Sequence, residues 1–420
     1  MKRREKARTT DLNRREFLKT VAGLGAAAAI GPLAAPAIAR GADRTIKIGM
    51  ILPYSGVWSA LGLRAEQGAR YAIYLSKYKD RVKYIVEDSR EDPAVCVEKA
   101  QKLVERDEVD VIVGPAAGHT ALAVSEYCKS KKKLMLLVYG GNVKISGSNC
   151  SRYTFLCGHT TYSVSAPGVP WMFENLGKEI FLIGNDYSTG RDICGWFKEG
   201  YLKRGGTVVG EVYPALGTSE FAPFLSQIQH AKPRPKVVAG FLSSSDTINF
   251  TKQYAEFGLK KEGIPLVSTI GSYGAMNVEA IGNAAEEIAY DIHHWAPTLT
   301  HKENVEFMEG YQKFAKMEVE DSAVLGYEVG TTITYALDQT GGDPNNEKLV
   351  DAIAKRQWVG PRGKCSFAPN HCVMHTTYVR QVKRVKGKLA PVAIVNLGLQ
   401  TTPATRPGRV DSANCRGCFP

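Results

Sequence analysis

The 420-residue chain carries 54 Lys and Arg against 42 Asp and Glu, a formal +12, yet nine of those bases and only three of the acids lie in residues 1–40. The remainder holds 45 bases and 39 acids, a net +6 that excludes any requirement for a polyanionic partner, so no nucleic acid is expected. Length suggests two domains, and 44% hydrophobic residues give ample core for both.

Residues 1–39 read as a cleaved export leader: a basic stretch, Asn13-Arg14-Arg15-Glu16-Phe17-Leu18-Lys19, an apolar Val21–Ile30 run and Ala37-Ile38-Ala39 before Arg40. The apolar run is far shorter than the roughly 20 residues that span a bilayer. Arg14-Arg15 with Phe17-Leu18-Lys19 resembles a twin-arginine signal, so a periplasmic location is expected.

From Thr45 onward, short runs rich in β-branched residues alternate with segments of helical period. The strands fall at Thr45–Leu52, Lys83–Glu87, Asp110–Val113, Lys133–Val138, Glu179–Ile183, Thr207–Tyr213, Lys236–Gly240, Pro265–Thr269 and Glu287–His294. Ala65, Ala69, Ala72 and Ile73 share one helical face, as do Val97, Ala100 and Val104, and Asp92-Pro93 makes a good helix start. About nine strands before residue 300 are more naturally two sheets than one, so the expected fold class is α/β with two Rossmann-like doubly wound lobes. Helical period then dominates Glu303–Lys355, interrupted at Gly341-Gly342-Asp343-Pro344. Val373–Lys383 and Ala390–Leu397 alternate like a hairpin, and residues 401–420 read as a flexible tail.

Several stretches together resemble the extracellular ligand-binding receptors of the branched-chain-amino-acid type, the solute-binding proteins of ABC importers. They are Ile46-Lys47-Ile48-Gly49 with Pro53-Tyr54-Ser55-Gly56, Gly68-Ala69-Arg70-Tyr71-Ala72-Ile73, Val111-Ile112-Val113-Gly114-Pro115, Asn185-Asp186-Tyr187 with Gly190, Gly282-Asn283-Ala284-Ala285-Glu286 and Trp358-Val359-Gly360-Pro361. The resemblance covers roughly residues 44 to 397. It implies a hinge crossed three times, with residues 44–162 and 292–361 in one lobe and 163–291 and 362–400 in the other. On that reading a monomer closes around a small organic solute, passes it to permease subunits at the inner membrane, catalyses nothing itself and needs no cofactor.

Loops at the carboxyl ends of the strands are the expected place for the solute. They bring forward Tyr54, Trp58, Ala117, Gly118, His119, Gly140, Gly141, Asn142, Tyr162, Tyr187, Thr189, Ser244, Ile270, His294 and Trp295 as candidate ligand contacts. The family's amino-acid binders hold the substrate carboxylate with hydroxyls where this chain has Gly118 and Gly141, and pair the ammonium with an acid where it has Ile270. A buried ammonium without a counter-charge is costly, so the resemblance here points away from zwitterions. Tyr54, Trp58, Tyr162, Tyr187, Tyr273 and Trp295 suit an aromatic or short aliphatic acid or amide.

Nine cysteines in an exported chain permit disulfides, and Cys150–Cys157, Cys365–Cys372 and Cys96–Cys128 are three open possibilities. Cys415 and Cys418 have C-x-x-C spacing without a second pair. His371 and His375 are separated by about 13 Å on an extended strand, too far to share one ion. His293 and His294 at a strand end are expected on opposite faces. No metal site is therefore expected, and an exported metal- or cofactor-dependent oxidoreductase is the alternative reading.

Overall fold

The computed structural model describes residues 44–400 except Gly141, so the expected leader and tail lie outside the described residues. In the first sheet β1 (Ile46–Leu52), β2 (Val82–Asp88), β3 (Val111–Val113), β4 (Met135–Leu137) and β5 (Thr154–Leu156) run parallel in the order β2-β1-β3-β4-β5. Every residue of β1 except Lys47 is buried, as befits a strand covered on both faces. The connecting helices are α1 (Ser59–Tyr74), α2 (Pro93–Gln101) and α3 (Gly118–Lys131). Asp92 caps α2, its carboxylate accepting from Val95 N–H at 2.9 Å, with Pro93 in the first turn where a missing N–H costs nothing.

In the second sheet β6 (Glu179–Gly184), β7 (Thr207–Val212), β8 (Val237–Phe241), β9 (Leu266–Thr269) and β10 (Ala289–His293) are parallel. β11 (Gln357–Gly360), β12 (Gly363–Phe367), β13 (Val373–Val385) and β14 (Lys388–Gln400) are antiparallel to their partners. The order is β11-β12-β13-β10-β9-β8-β6-β7, with β14 beside β13. Its helices are α4 (Val169–Asn175), α5 (Ser188–Lys203), α6 (Ala222–His230), α7 (Ser244–Glu256) and α8 (Ala275–Ile281). The expected hairpin and all nine expected strands are present, and β5, β11 and β12 are additions.

α9 (Lys302–Ala315), α10 (Asp321–Gln339) and α11 (Asn346–Ala354) follow β10 but return to the first sheet: Leu325, Val329, Ile333, Leu349 and Ile353 share a core with Ile46, Ile48 and Val111. α1 and α10 cross at backbone contact. A Cβ on Gly68 would stand 2.1 Å from Ala323 O, and one on Gly326 1.9 Å from Ala65 O, so neither position has room for a side chain. A turn of π-helix, Lys102–Arg106, continues α2; Leu103 is fully buried in the core and the expected Val104 packs against it, half-buried.

Two buried ion pairs stand in the molecule's interior, one where the sheets meet and one within the second sheet. Arg362, between β11 and β12, donates from Nε to Glu328 Oε2 of α10 at 2.7 Å and to the carbonyls of Cys157 and Gly158 at 2.6 and 2.8 Å. Arg380 of β13 pairs with Asp291 of β10 and donates to Trp295 O at 2.9 Å. Among the cysteines, Cys96, Cys128, Cys157 and Cys365 are free thiols, so none of the three possible pairings forms, whereas Cys150 is disulfide-bonded. No helix among the described residues is long and apolar enough to cross a membrane.

Candidate functional site

Strand order reverses between β1 and β3 in the first sheet and between β6 and β8 in the second, leaving a crevice beyond each pair of carboxyl ends. In the first, Tyr54 N–H donates to Asp88 Oδ1 at 2.9 Å, fixing the loop after β1 against the end of β2. The loops after β3 and β4 touch: a Cβ on Gly118 would lie 3.1 Å from Asn142 Cβ. A glycine is therefore favoured where the resemblance implies a hydroxyl. The first turn of α3 has no side-chain cap, since its N-cap is Ala117. In the second, Asn185 joins both loops, accepting from Ser243 N–H at 2.8 Å and donating to Asp246 Oδ2 at 2.7 Å. Asp246 also accepts from Gly217 N–H at 3.0 Å. Neither Asn185 nor Asp246 carries a sequence signal for this bracing role, which depends on partners about sixty positions apart.

Between the sheets lies a buried cluster of histidines. His293 ends β10, and its ring stacks on His294 with centroids 4.2 Å apart. His294 stacks in turn on His159 at 5.0 Å and meets His375 edge-on at 5.8 Å. The expectation that His293 and His294 face opposite ways fails because β10 ends at His293, and past a strand end alternation no longer holds. His371, which precedes β13, is outside this cluster and stacks on Phe155 at 3.9 Å, so it and His375 remain apart.

Asp321 opens α10 beside the cluster. Its Oδ2 lies 3.6 Å from His293 Nε2 and accepts from the Tyr139 hydroxyl at 3.0 Å. Burial pushes this carboxyl up, but the hydrogen bond and charge of His293, with His159 and Tyr139, outweigh it and hold the group below its ordinary value. Burial, then the charge of His293, pushes His159 down to about 3 and His294 well down, so both rings are neutral near pH 7. Both nitrogens of His294 are buried without a hydrogen-bond partner, as is His159 Nδ1. Met276 N–H donates to Glu320 Oε1 at 3.1 Å, bringing the segment after β9 against the start of α10.

The remaining sequence candidates divide. Trp58 is half-buried at the start of α1, and Tyr187 is the N-cap of α5, its hydroxyl hydrogen-bonded with Thr189. Ser244 opens α7, Gly140 has φ 88°, and Ile270 has φ 53° directly after β9. His119 is exposed, its Nε2 3.2 Å from Glu91 O. Asn142 Oδ1 accepts from Lys144 N–H at 3.0 Å, a turn-forming role. Gly141 lies outside the described residues. Tyr54 packs on the first-sheet core with its hydroxyl beside Glu66, and Tyr162 meets Trp196 edge-on at 4.8 Å.

Two aromatic expectations are corrected. Trp295 is a core residue, 2% exposed, donating from Nε1 to Asn304 Oδ1 at 2.7 Å and packed with Tyr71, Phe307 and Tyr311. Tyr273 is buried in the second-sheet core, its hydroxyl 3.3 Å from Thr251 Oγ1. Each found a polar partner on a neighbouring helix, which let the ring leave the solvent. What sequence reasoning missed is the grouping of His159, His293 and Asp321 with His294.

Known proteins share this arrangement. The family model described as "Periplasmic binding protein" matches residues 45–388. A "Leu/Ile/Val-binding protein homolog 6" of Brucella suis biovar 1 (strain 1330) is 28% identical over 346 residues, covering 81% of this chain and 88% of the relative. The solute binding protein of an ABC transporter from Rhodopseudomonas palustris HaA2, solved in complex with p-hydroxybenzoic acid, is 25% identical with a TM-score of 0.79, covering 85% of this chain and 98% of that one. Its counterpart from Rhodopseudomonas palustris BisB5, in complex with 3,4-dihydroxybenzoic acid, is 26% identical with a TM-score of 0.78, covering 86% and 99%. With a family model spanning most of its length and these relatives matching nearly end to end, the chain belongs to the periplasmic binding protein family of ABC-importer solute receptors.

Proposed function

We propose that this protein, exported by its leader to the periplasm, binds an aromatic carboxylate between two lobes, residues 44–162 with 292–361 and residues 163–291 with 362–400, and delivers it to an inner-membrane permease. The observation that carries this reading is that two relatives aligned over almost their whole length were solved with hydroxylated benzoates. Local chemistry supports it. The uncapped first turn of α3 presents N–H groups and the positive end of a helix dipole to an anion. Trp58 and Tyr187 supply half-buried rings for an aromatic solute. Ile270 offers no charge to an ammonium, so a zwitterion would have to draw its counter-charge from Glu320 or Asp321, which approach Gly274 and Gly271 from α10.

Calorimetric and tryptophan-fluorescence titration of the full chain with 4-hydroxybenzoate, 3,4-dihydroxybenzoate and leucine tests the reading. Saturable micromolar or tighter binding of a benzoate, with leucine much weaker, is the expected result. Tight leucine binding without benzoate binding overturns it.

A further inference from the structure

The histidine cluster has a property that solute binding does not account for. His293, His294 and Asp321 each offer a ligand atom, and these three atoms all lie within 4.8 Å of one another. The separation of 3.6 Å between His293 Nε2 and Asp321 Oδ2 is close to the edge of a tetrahedron around an ion, about 3.4 Å for bonds of about 2.1 Å. His294 adds the second observation: its ring is fully buried and neither nitrogen has a hydrogen-bond partner, a costly arrangement for a polar group unless something accepts its lone pair.

We propose that His293, His294 and Asp321 form a binding site for a divalent cation of the zinc class. Imidazole and carboxylate are the donors such ions take. Outer partners are in place: His293 Nδ1 lies 2.9 Å from Trp295 O and 3.2 Å from Trp295 N, and the Tyr139 hydroxyl steadies the carboxylate at 3.0 Å. The ligands come from a strand end and a helix start. His293 closes β10 of the second sheet, whereas α10 packs on the first. A bound ion therefore ties the end of β10 to the start of α10, with its fourth ligand drawn from outside the trio. The site stands independently of which solute the receptor carries.

The full chain, stripped with chelator and re-equilibrated with Zn²⁺, is expected to take up one equivalent per molecule by elemental analysis and calorimetry. Co²⁺ in its place should give the intense visible bands of a four-coordinate ion. His293→Gln and Asp321→Asn are each expected to weaken Zn²⁺ binding at least tenfold, the scale on which even outer partners of metal sites matter. His119→Gln, His230→Gln and the double change Cys415→Ser with Cys418→Ser should leave it unchanged. No saturable uptake by the wild type overturns the proposal, as does uptake that survives both ligand changes or disappears with the two cysteines. Should the ligand variants fail to fold by circular dichroism, the wild-type Co²⁺ spectrum decides: weak octahedral bands or a thiolate charge-transfer band overturn it. Benzoate titration of the metal-free chain is read separately, so failure here is distinguishable from failure of the solute reading.

Discussion

His371 shows how a single buried residue makes stability depend on pH. Its backbone sits at φ 57°, in the left-handed region, and its ring lies flat against Phe155, with planes 10° apart. Burial, then the nearby Arg152 charge, pushes the ring down to about 3 from an ordinary 6.5. Between those two values the unfolded chain holds a proton that the folded chain does not. The contribution is therefore complete above about pH 6.5 and falls away as the pH drops toward about 3, by roughly 1.4 kcal/mol per pH unit. Asparagine tolerates the same backbone region. Urea titrations of His371→Asn between pH 6.5 and 4.5 should show a plot of stability against pH shallower than wild type by about that slope, and an unchanged slope would mean that His371 titrates normally when folded. Gly118 belongs at this scale too. Its departure from the expected hydroxyl was legible in sequence, but the reason, Asn142 lying against it, was not.

At the scale of elements, the crossing of α1 and α10 makes a stronger demand than either helix alone. Side-chain packing at this crossing gives way to backbone contact at Gly68 and Gly326, so a methyl group at 326 must push the helices apart. Gly326→Ala should cost about 1–3 kcal/mol by urea melt although alanine is the better helix former. A stabilised variant would show that the helices separate freely. Elements of this kind divide into the legible and the illegible for physical reasons. β1, β3, β4, β6, β8, β9 and β10 are runs buried at nearly every residue, the edge strands β2 and β7 are half-buried but still rich in β-branched residues, and the Ala65, Ala69, Ala72 and Ile73 face of α1 is buried as its period requires. β5 lies between loops with no helical segment before it and exists through pairing with β4, and β11 and β12 exist through pairing with each other and with β13. The histidine cluster was illegible because its members sit on the segment after β5, the end of β10 and the start of α10, which only the tertiary fold brings together.

For the whole molecule the decisive connections are those at the junction of the two sheets. Arg362 is fully buried, and its guanidinium reaches Glu328 on a helix packed against the first sheet and the carbonyls of Cys157 and Gly158 just beyond β5. Burial works against this cation, but the Glu328 carboxylate outweighs it and holds the guanidinium above its ordinary value. Removing one partner leaves the other charged, buried and unpaired, a loss of about 3–5 kcal/mol, whereas replacing both with apolar side chains removes the desolvation cost along with the attraction. Arg362→Met should therefore be strongly destabilising, and Arg362→Met with Glu328→Leu should recover part of that loss. The recovery should be incomplete, because the carbonyls of Cys157 and Gly158 lose their donors in both variants. Chemical denaturation of the wild type, both single variants and the double variant forms the cycle that measures this. Additive losses would mean that Arg362 acts through the two carbonyls alone, whereas a double variant more stable than Arg362→Met identifies the ion pair as the tie between β11, β12 and the helices on the first sheet.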